Sequence, residues 1–187
     1  MSRPLPNKRR QPDDSAIQAK DFVRRSLGLA GQRALEWIDH LEDAAQIYVR
    51  LAKDPEVLQQ FRKILREAPA LIPSFEQFPE LTRELLLGEL NPIRSSAIDL
   101  GLEPSCDLHV TARTFASWKC KLAAAWILGG QIDLGRCLTD LTDSLVRHCM
   151  ARLYCSFEVL AVGSYGRQEM AWTSDVDVLL LAPPGLS

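Results

Sequence analysis

Residues 159–181 read VLAVGSYGRQEMAWTSDVDVLLL. Phe157-Glu158-Val159-Leu160-Ala161-Val162 is a short β-prone run that stops at Gly163-Ser164-Tyr165-Gly166. A polar stretch follows, and then Asp175-Val176-Asp177-Val178-Leu179-Leu180-Leu181 alternates briefly before becoming continuously apolar, as a central strand does. Pro183-Pro184-Gly185 ends this second run. The order strand, glycine turn, strand marks a change of architecture near residue 154, because the sequence before it carries a different period.

The spacing inside this stretch also carries chemistry. Gly163-Ser164 is separated by ten residues from Asp175-Val176-Asp177, with a strand signal on either side. Glycine lets a chain turn sharply off a strand and approach a ligand closely. The Ser164 hydroxyl and the amides that follow form a cradle suited to phosphate oxygens. Asp175 and Asp177, two apart on a strand, project from one face, while Val176 and Val178 go to the other face and into the core. Paired hard oxygen ligands are what Mg²⁺ requires when it also holds substrate phosphates. A pair of such ions can align nucleophile and leaving group for in-line displacement at phosphorus. Arg167 follows the turn, where a planar donor could reach a phosphate or pair with Glu169. Glu169 is read as a structural partner of the turn, and Trp172 as packing beneath the second strand.

Working back toward the N-terminus, residues 16–153 have helical periodicity. Leu35, Ile38, Leu41, Ala45, Tyr48, Val49 and Ala52 lay one apolar stripe along a helix. Asp54-Pro55-Glu56 is a start signal: Asp caps, Pro at the first position loses no needed N–H, and Glu suits the positive end of the dipole. Val57, Leu58, Phe61, Ile64 and Leu65 continue the stripe until Pro69. Residues 69–80 hold three prolines and read as a connector, followed by a short helix from Pro79 to Leu87 that Gly88, Asn91 and Pro92 break. Residues 91–107 read as irregular. A long helix from about Thr111 to Leu128 stops at Gly129-Gly130, and another starts at a capping Asp133 and carries Leu134, Leu138, Leu141, Leu145, Cys149 and Leu153. A short loop between long helices favours antiparallel neighbours. The fold class is therefore mainly α: a helical bundle or array, followed by the start of an α/β domain with an incomplete mixed sheet. Residues 1–15, Pro-rich and charged, read as a flexible tail; 16–153 form the helical region; 154–187 begin the α/β domain.

Composition sets the outer limits. With 22 Lys+Arg against 24 Asp+Glu, the net charge is −2, which argues against a dedicated nucleic-acid binder with a large basic face. The charge is uneven, since residues 1–25 hold seven Lys/Arg against three Asp; Lys8-Arg9-Arg10 is read as a solvated terminus. The longest apolar run, Leu122 to Leu128, falls far short of the ~20 residues that span a bilayer, and the basic N-terminus lacks the apolar segment of a secretory signal. Cys106, Cys120, Cys137, Cys149 and Cys155 show no CxxC spacing, so reduced thiols in a cytoplasmic protein are expected. His40, His109 and His148 are scattered and take no catalytic role. Trp118, Trp126 and the leucine stripes are assigned to the helical core.

Residues 159–181 resemble the active-site core of the polymerase-β-like nucleotidyltransferase superfamily, in which a strand, a Gly-Ser turn with a helix and an Asp-x-Asp strand occur in this order. Within it, Gly163, Gly166, Glu169 and Ser174-Asp175-Val176-Asp177 most resemble the glutamine synthetase adenylyltransferase family. Leu51-Ala52-Lys53-Asp54-Pro55-Glu56-Val57-Leu58 is similar to an early helix of that family, and Arg113 to Arg152 to the helix pair leading into its first catalytic domain. The resemblance implies a Mg²⁺-dependent enzyme that adds or removes AMP on glutamine synthetase and so regulates nitrogen assimilation. It implies Asp175 and Asp177 as metal ligands and catalytic carboxylates, with Gly163, Ser164 and Arg167 on nucleotide or phosphate. ATP, or phosphate and ADP, would be the small substrates. Glutamine synthetase would be the protein substrate, the PII signalling protein stays open as a further partner, and neither membrane nor nucleic acid is involved.

The chain departs from that family at Ser164, usually Lys, and at Arg167, usually Gly. Gly-Ser is the more general superfamily form, and it brings the chain near the uridylyltransferases that modify PII. The superfamily also takes a third carboxylate from a later strand, whereas the ten residues after Asp177, VLLLAPPGLS, contain none. The expectation is therefore the front part of a nucleotidyltransferase, with little or no turnover alone and an open apolar strand prone to aggregation. A catalytically inert helical interaction module is the alternative from another class.

Overall fold

A computed structural model describes residues 14–28, 31–87, 107–153 and 157–182. Among them the chain is mainly helical with one small sheet. The helices are α1 (Asp14–Leu27), α2 (Gln32–Ile38), α3 (Ala44–Lys53), α4 (Pro55–Glu67), α5 (Ile72–Gln77), α6 (Pro79–Leu86), α7 (Leu108–Ile127), α8 (Leu134–Leu153) and the single turn α9 (Gly163–Gly166). Strands β1 (Glu158–Ala161) and β2 (Val178–Leu181) pair antiparallel, with Glu158 opposite Leu181 and Ala161 opposite Val178.

Local signals account for most helix ends. Asp54 caps α4 by accepting from the amides of Glu56 and Val57 at 3.1 and 3.2 Å. Asp107 accepts from His109 N–H at 2.7 Å, which starts α7 at Leu108 rather than near Thr111. Gly129, at φ +90°, closes α7, and Asp133 accepts from Arg136 N–H at 3.1 Å to start α8. The connector over 69–80 is more ordered than its prolines imply: a 3-10 turn at Pro69–Leu71 leads into α5 and then α6. Pro69, Pro73 and Pro79 each occupy one of the first two positions of their helix, where the missing N–H costs nothing.

The stripe from Leu35 to Ala52 is not one helix but two, broken at residues 39–43. Asp39 explains the break: it takes the Lys20 ammonium at 2.6 and 2.7 Å and the Tyr48 hydroxyl at 2.9 Å. Tyr48 also donates to the Leu35 carbonyl at 3.2 Å, which folds α3 back toward α2. Both contacts bridge residues far apart in sequence, and no local pattern announces them.

The apolar interior has two centres. The larger joins α1–α6 to one side of α7, with Phe61, Phe75, Phe78, Ile38, Ile47 and Leu81 fully buried. Trp37 stacks on Phe61 with centroids 6.1 Å apart and meets Phe75 edge-on at 5.5 Å. The smaller holds Leu122 of α7, Cys137, Leu138 and Leu141 of α8, and Tyr165 and Met170 from the stretch between the strands. Trp172 packs against both centres. Apolar packing therefore runs continuously across residue 154.

Several sequence assignments need adjustment. Trp126 is 52% exposed instead of buried in the helical core, while Trp118 does pack against the smaller centre. Cys120 and Cys137 are buried free thiols, and burial pushes both upward in pKa; Cys149 is free and half-buried. Cys106, Cys155, the basic cluster at 8–10 and the breakers Gly88, Asn91 and Pro92 lie outside the described residues. Among the described residues no helix is long and apolar enough to cross a membrane.

Candidate functional site

The turn after β1 has a specific geometry. Gly163 adopts φ +60°, a left-handed conformation that side chains disfavour. A Cβ placed there would lie 2.6 Å from Asp177 Oδ2, so the Asp177 carboxylate rests directly on the glycine. Gly166 is required for a second reason: its Cβ would meet the Ala161 carbonyl oxygen at 2.5 Å. The turn is closed by the Gly166 N–H on the Val162 carbonyl at 2.9 Å and the Arg167 N–H on the Gly163 carbonyl at 3.4 Å. Those two amides are thereby used, and a phosphate oxygen would have to take the earlier ones, Gly163 to Tyr165, which a helix start leaves without intrahelical partners.

The strand carrying the aspartates begins later than the sequence implies. Regular pairing starts at Val178, and Asp175 and Asp177 lie just ahead of it. The Val162 N–H nonetheless donates to the Asp177 carbonyl at 3.1 Å, which continues the pairing by one step and fixes Asp177 against the turn. Both aspartates are exposed. Val176 does turn inward, packing against the smaller core, but Val178 is 41% exposed rather than buried.

Behind the site, the loop is tied to the helices. Tyr165 is buried, and its hydroxyl donates to Asp143 on α8 at 2.5 Å. Burial, and then the hydrogen bond and negative charge of Asp143, hold this phenol well above its ordinary pKa. Met170 is buried next to Thr142, whose hydroxyl lies 3.6 Å from its sulfur. Ser174 closes a small turn, accepting from the Ala171 N–H at its hydroxyl and donating its own N–H to the Ala171 carbonyl, each at 2.9 Å. Lys119 of α7 donates to the Ser174 carbonyl at 3.2 Å.

The remaining assigned residues fall in plainer settings. Arg167 pairs with Glu169 at 2.8 Å, and both side chains are about two-thirds exposed at 64% and 66%. Such a pair contributes about 0–1 kcal/mol. Glu169 joins the turn through its backbone, N–H to the Ser164 carbonyl at 2.9 Å, and its carboxylate faces Arg167. Trp172 is half-buried between the helical centres. The histidines have structural contacts: His40 Nδ1 is 2.7 Å from the Glu36 carbonyl and His148 Nε2 is 3.2 Å from the Thr111 hydroxyl.

Chain folding thus brings Gly163, Ser164 and Asp177 together, sets Asp175 nearby on the same strand approach, and turns Arg167 toward Glu169. The two carboxylates fit a hard divalent cation by donor chemistry, as exposed oxygens able to share it with water and phosphate oxygens. Among the described residues no three His, Cys, Asp or Glu side chains converge as a metal site. Sequence reasoning missed Tyr165, Asp143 and Lys119. A usable signal existed for Lys119, which sits four residues after Phe115 and three before Leu122, on an otherwise apolar helical face. Comparisons with protein-family models, curated proteins and solved structures found no match to this chain.

Proposed function

We propose that this chain carries part of a Mg²⁺-dependent nucleotidyltransferase, in which residues 154–187 begin the catalytic domain. The carrying observation is the seating of the Asp177 carboxylate on Gly163, 2.6 Å from the position its Cβ would take. This contact supports the reading because it brings a carboxylate beside a glycine turn whose early amides could take phosphate oxygens. In this reading Asp175 and Asp177 hold the cation, which supplies charge neutralisation at the transferring phosphorus. Gly163 and Ser164 hold phosphate oxygens through amides and hydroxyl. Arg167, already paired with Glu169, would have to leave that pair to assist. By resemblance, the substrate is ATP, or phosphate with ADP as product. The protein target would be glutamine synthetase in the cytoplasm, with PII as a further partner in nitrogen regulation.

The test is titration calorimetry with MgATP, because binding reads the two carboxylates directly. Binding by the wild-type chain that disappears in Asp175→Ala/Asp177→Ala, with unchanged circular dichroism, supports the assignment. An absence of binding at millimolar MgATP and MgUTP would sink it in favour of an inert helical interaction module. Tighter binding of MgUTP than MgATP would move the target class to uridylylation. ADP release from adenylylated glutamine synthetase is the corresponding substrate assay.

A further inference from the structure

Lys119 lies 55 residues before Ser174 in the chain, yet its ammonium donates to the Ser174 carbonyl at 3.2 Å. A lysine drawn half into a protein loses hydration and side-chain freedom, and both losses require compensation. Three groups supply it: the Ser174 carbonyl, the Phe115 ring with its centroid 5.8 Å away, and the negative charge of Asp175. Burial lowers the pKa of Lys119, and the electrostatic effects of Cys120 and then Asp175 oppose that shift.

Resting on the nucleotidyltransferase reading above, we propose that Lys119 is a positioning residue for Asp175, setting from α7 the geometry of the carboxylate pair. The carbonyl it holds belongs to the peptide unit whose nitrogen is that of Asp175. That unit is planar and rigid, so anchoring its oxygen restrains where the Asp175 Cα can lie. The other polar groups of Ser174 are already committed, since its N–H and hydroxyl both bond to Ala171 at 2.9 Å. Asp177 is located independently, by the Val162 N–H on its carbonyl at 3.1 Å and by its carboxylate against Gly163. One carboxylate is therefore set by the sheet and the other by a helix, and their spacing depends on Lys119. Metal-ligand geometry tolerates errors of only about 0.5 Å, so the loss of such an anchor is felt at the ion.

A purely electrostatic role has the opposite signature. A cation beside Asp175 repels a divalent ion, so removing its charge alone would tighten metal binding. The experiment uses the full chain with Mn²⁺ as a paramagnetic stand-in for Mg²⁺, in the presence of ATP, and reads free Mn²⁺ by electron paramagnetic resonance. Lys119→Met keeps the apolar stem and is expected to weaken Mn²⁺ binding about tenfold, the scale of one charge-assisted hydrogen bond. Lys119→Arg, which can still reach the carbonyl, is expected to restore most of it. Amide exchange over residues 174–177 should rise in the metal-free Met variant while exchange in α4 stays constant. Mn²⁺ binding in the Met variant as tight as wild type, or tighter, overturns the inference and leaves the enzyme reading standing. No Mn²⁺ binding by the wild type overturns the enzyme reading itself, and unchanged exchange over 174–177 then removes the anchoring claim as well. If Lys119→Met does not fold, Lys119→Leu, which likewise has neither donor nor charge, takes its place under the same criteria.

Discussion

At Gly163 two independent constraints coincide: a backbone angle of φ +60° and a carboxylate in the space a side chain would need. Either constraint alone disfavours substitution, and a left-handed conformation at a non-glycine residue costs about 1–3 kcal/mol. Gly163→Ala is therefore expected to lower unfolding free energy by about 1–3 kcal/mol, and to push Asp177 away from the turn. Urea unfolding checks the first effect and MgATP calorimetry the second. A loss below about 0.5 kcal/mol, the size of an ordinary surface change, would mean that the turn relaxes freely. The turn at Gly163 was legible because a left-handed backbone locally requires glycine, whereas the start of β2 at Val178, just after Asp175 and Asp177, was not. The partners of Lys119 and Asp143 were not legible either, because they lie across 55 and 22 residues of chain, although the place of Lys119 on an apolar helical face did mark it as unusual.

At the scale of elements, the α7–α8 hairpin and the loop between the strands pack as one unit, with Tyr165 at their junction. Its hydroxyl bond to Asp143 spans α9 and α8, so Tyr165→Phe removes the bond while keeping the ring in the smaller core. Near neutral pH the variant should be less stable by about 1.5–3 kcal/mol, the range for a hydrogen bond to a charged acceptor. The pKa of Tyr165 is raised in the folded chain, so its contribution is fully present below the unfolded phenol value of about 10 and is lost as pH rises from there toward the folded value. The stability gap between wild type and Tyr165→Phe should accordingly narrow above pH 10 in urea titrations. A gap that stays constant from pH 7 to pH 11 would show that the hydroxyl makes no such bond. Helix ends show where sequence was sufficient: Asp54, Gly129 and Asp133 act through their own backbone neighbourhood. The break at residues 39–43 was hidden because the Lys20–Asp39–Tyr48 contacts that produce it are tertiary. The prolines over 69–80 misled differently, since proline both ends one helix and suits the first turn of the next.

For the molecule as a whole, α7 joins the halves, lending Cys120, Ala123, Ala124 and Ile127 to the larger apolar centre and Leu122 to the smaller. The sheet contrasts with this interior. Leu160, Leu179, Leu180 and Leu181 are 45, 49, 56 and 40% exposed, and among the described residues each strand has only one neighbour. An apolar strand with a free hydrogen-bonding edge is a template for pairing with another chain. Charge repulsion offers little protection, because β2 carries no ionisable group and the net charge is only −2. The purified 187-residue chain is expected to self-associate with rising concentration, seen as growth of the weight-average mass in sedimentation equilibrium. Leu180→Lys places a charge on the most exposed position of β2 without touching either apolar centre, and it should suppress this association while leaving the helical circular dichroism unchanged. Equal association of the variant and the wild type would shift the contact surface away from β2, with the exposed apolar residues Leu108 and Val110 at the start of α7 as the next surface to mutate.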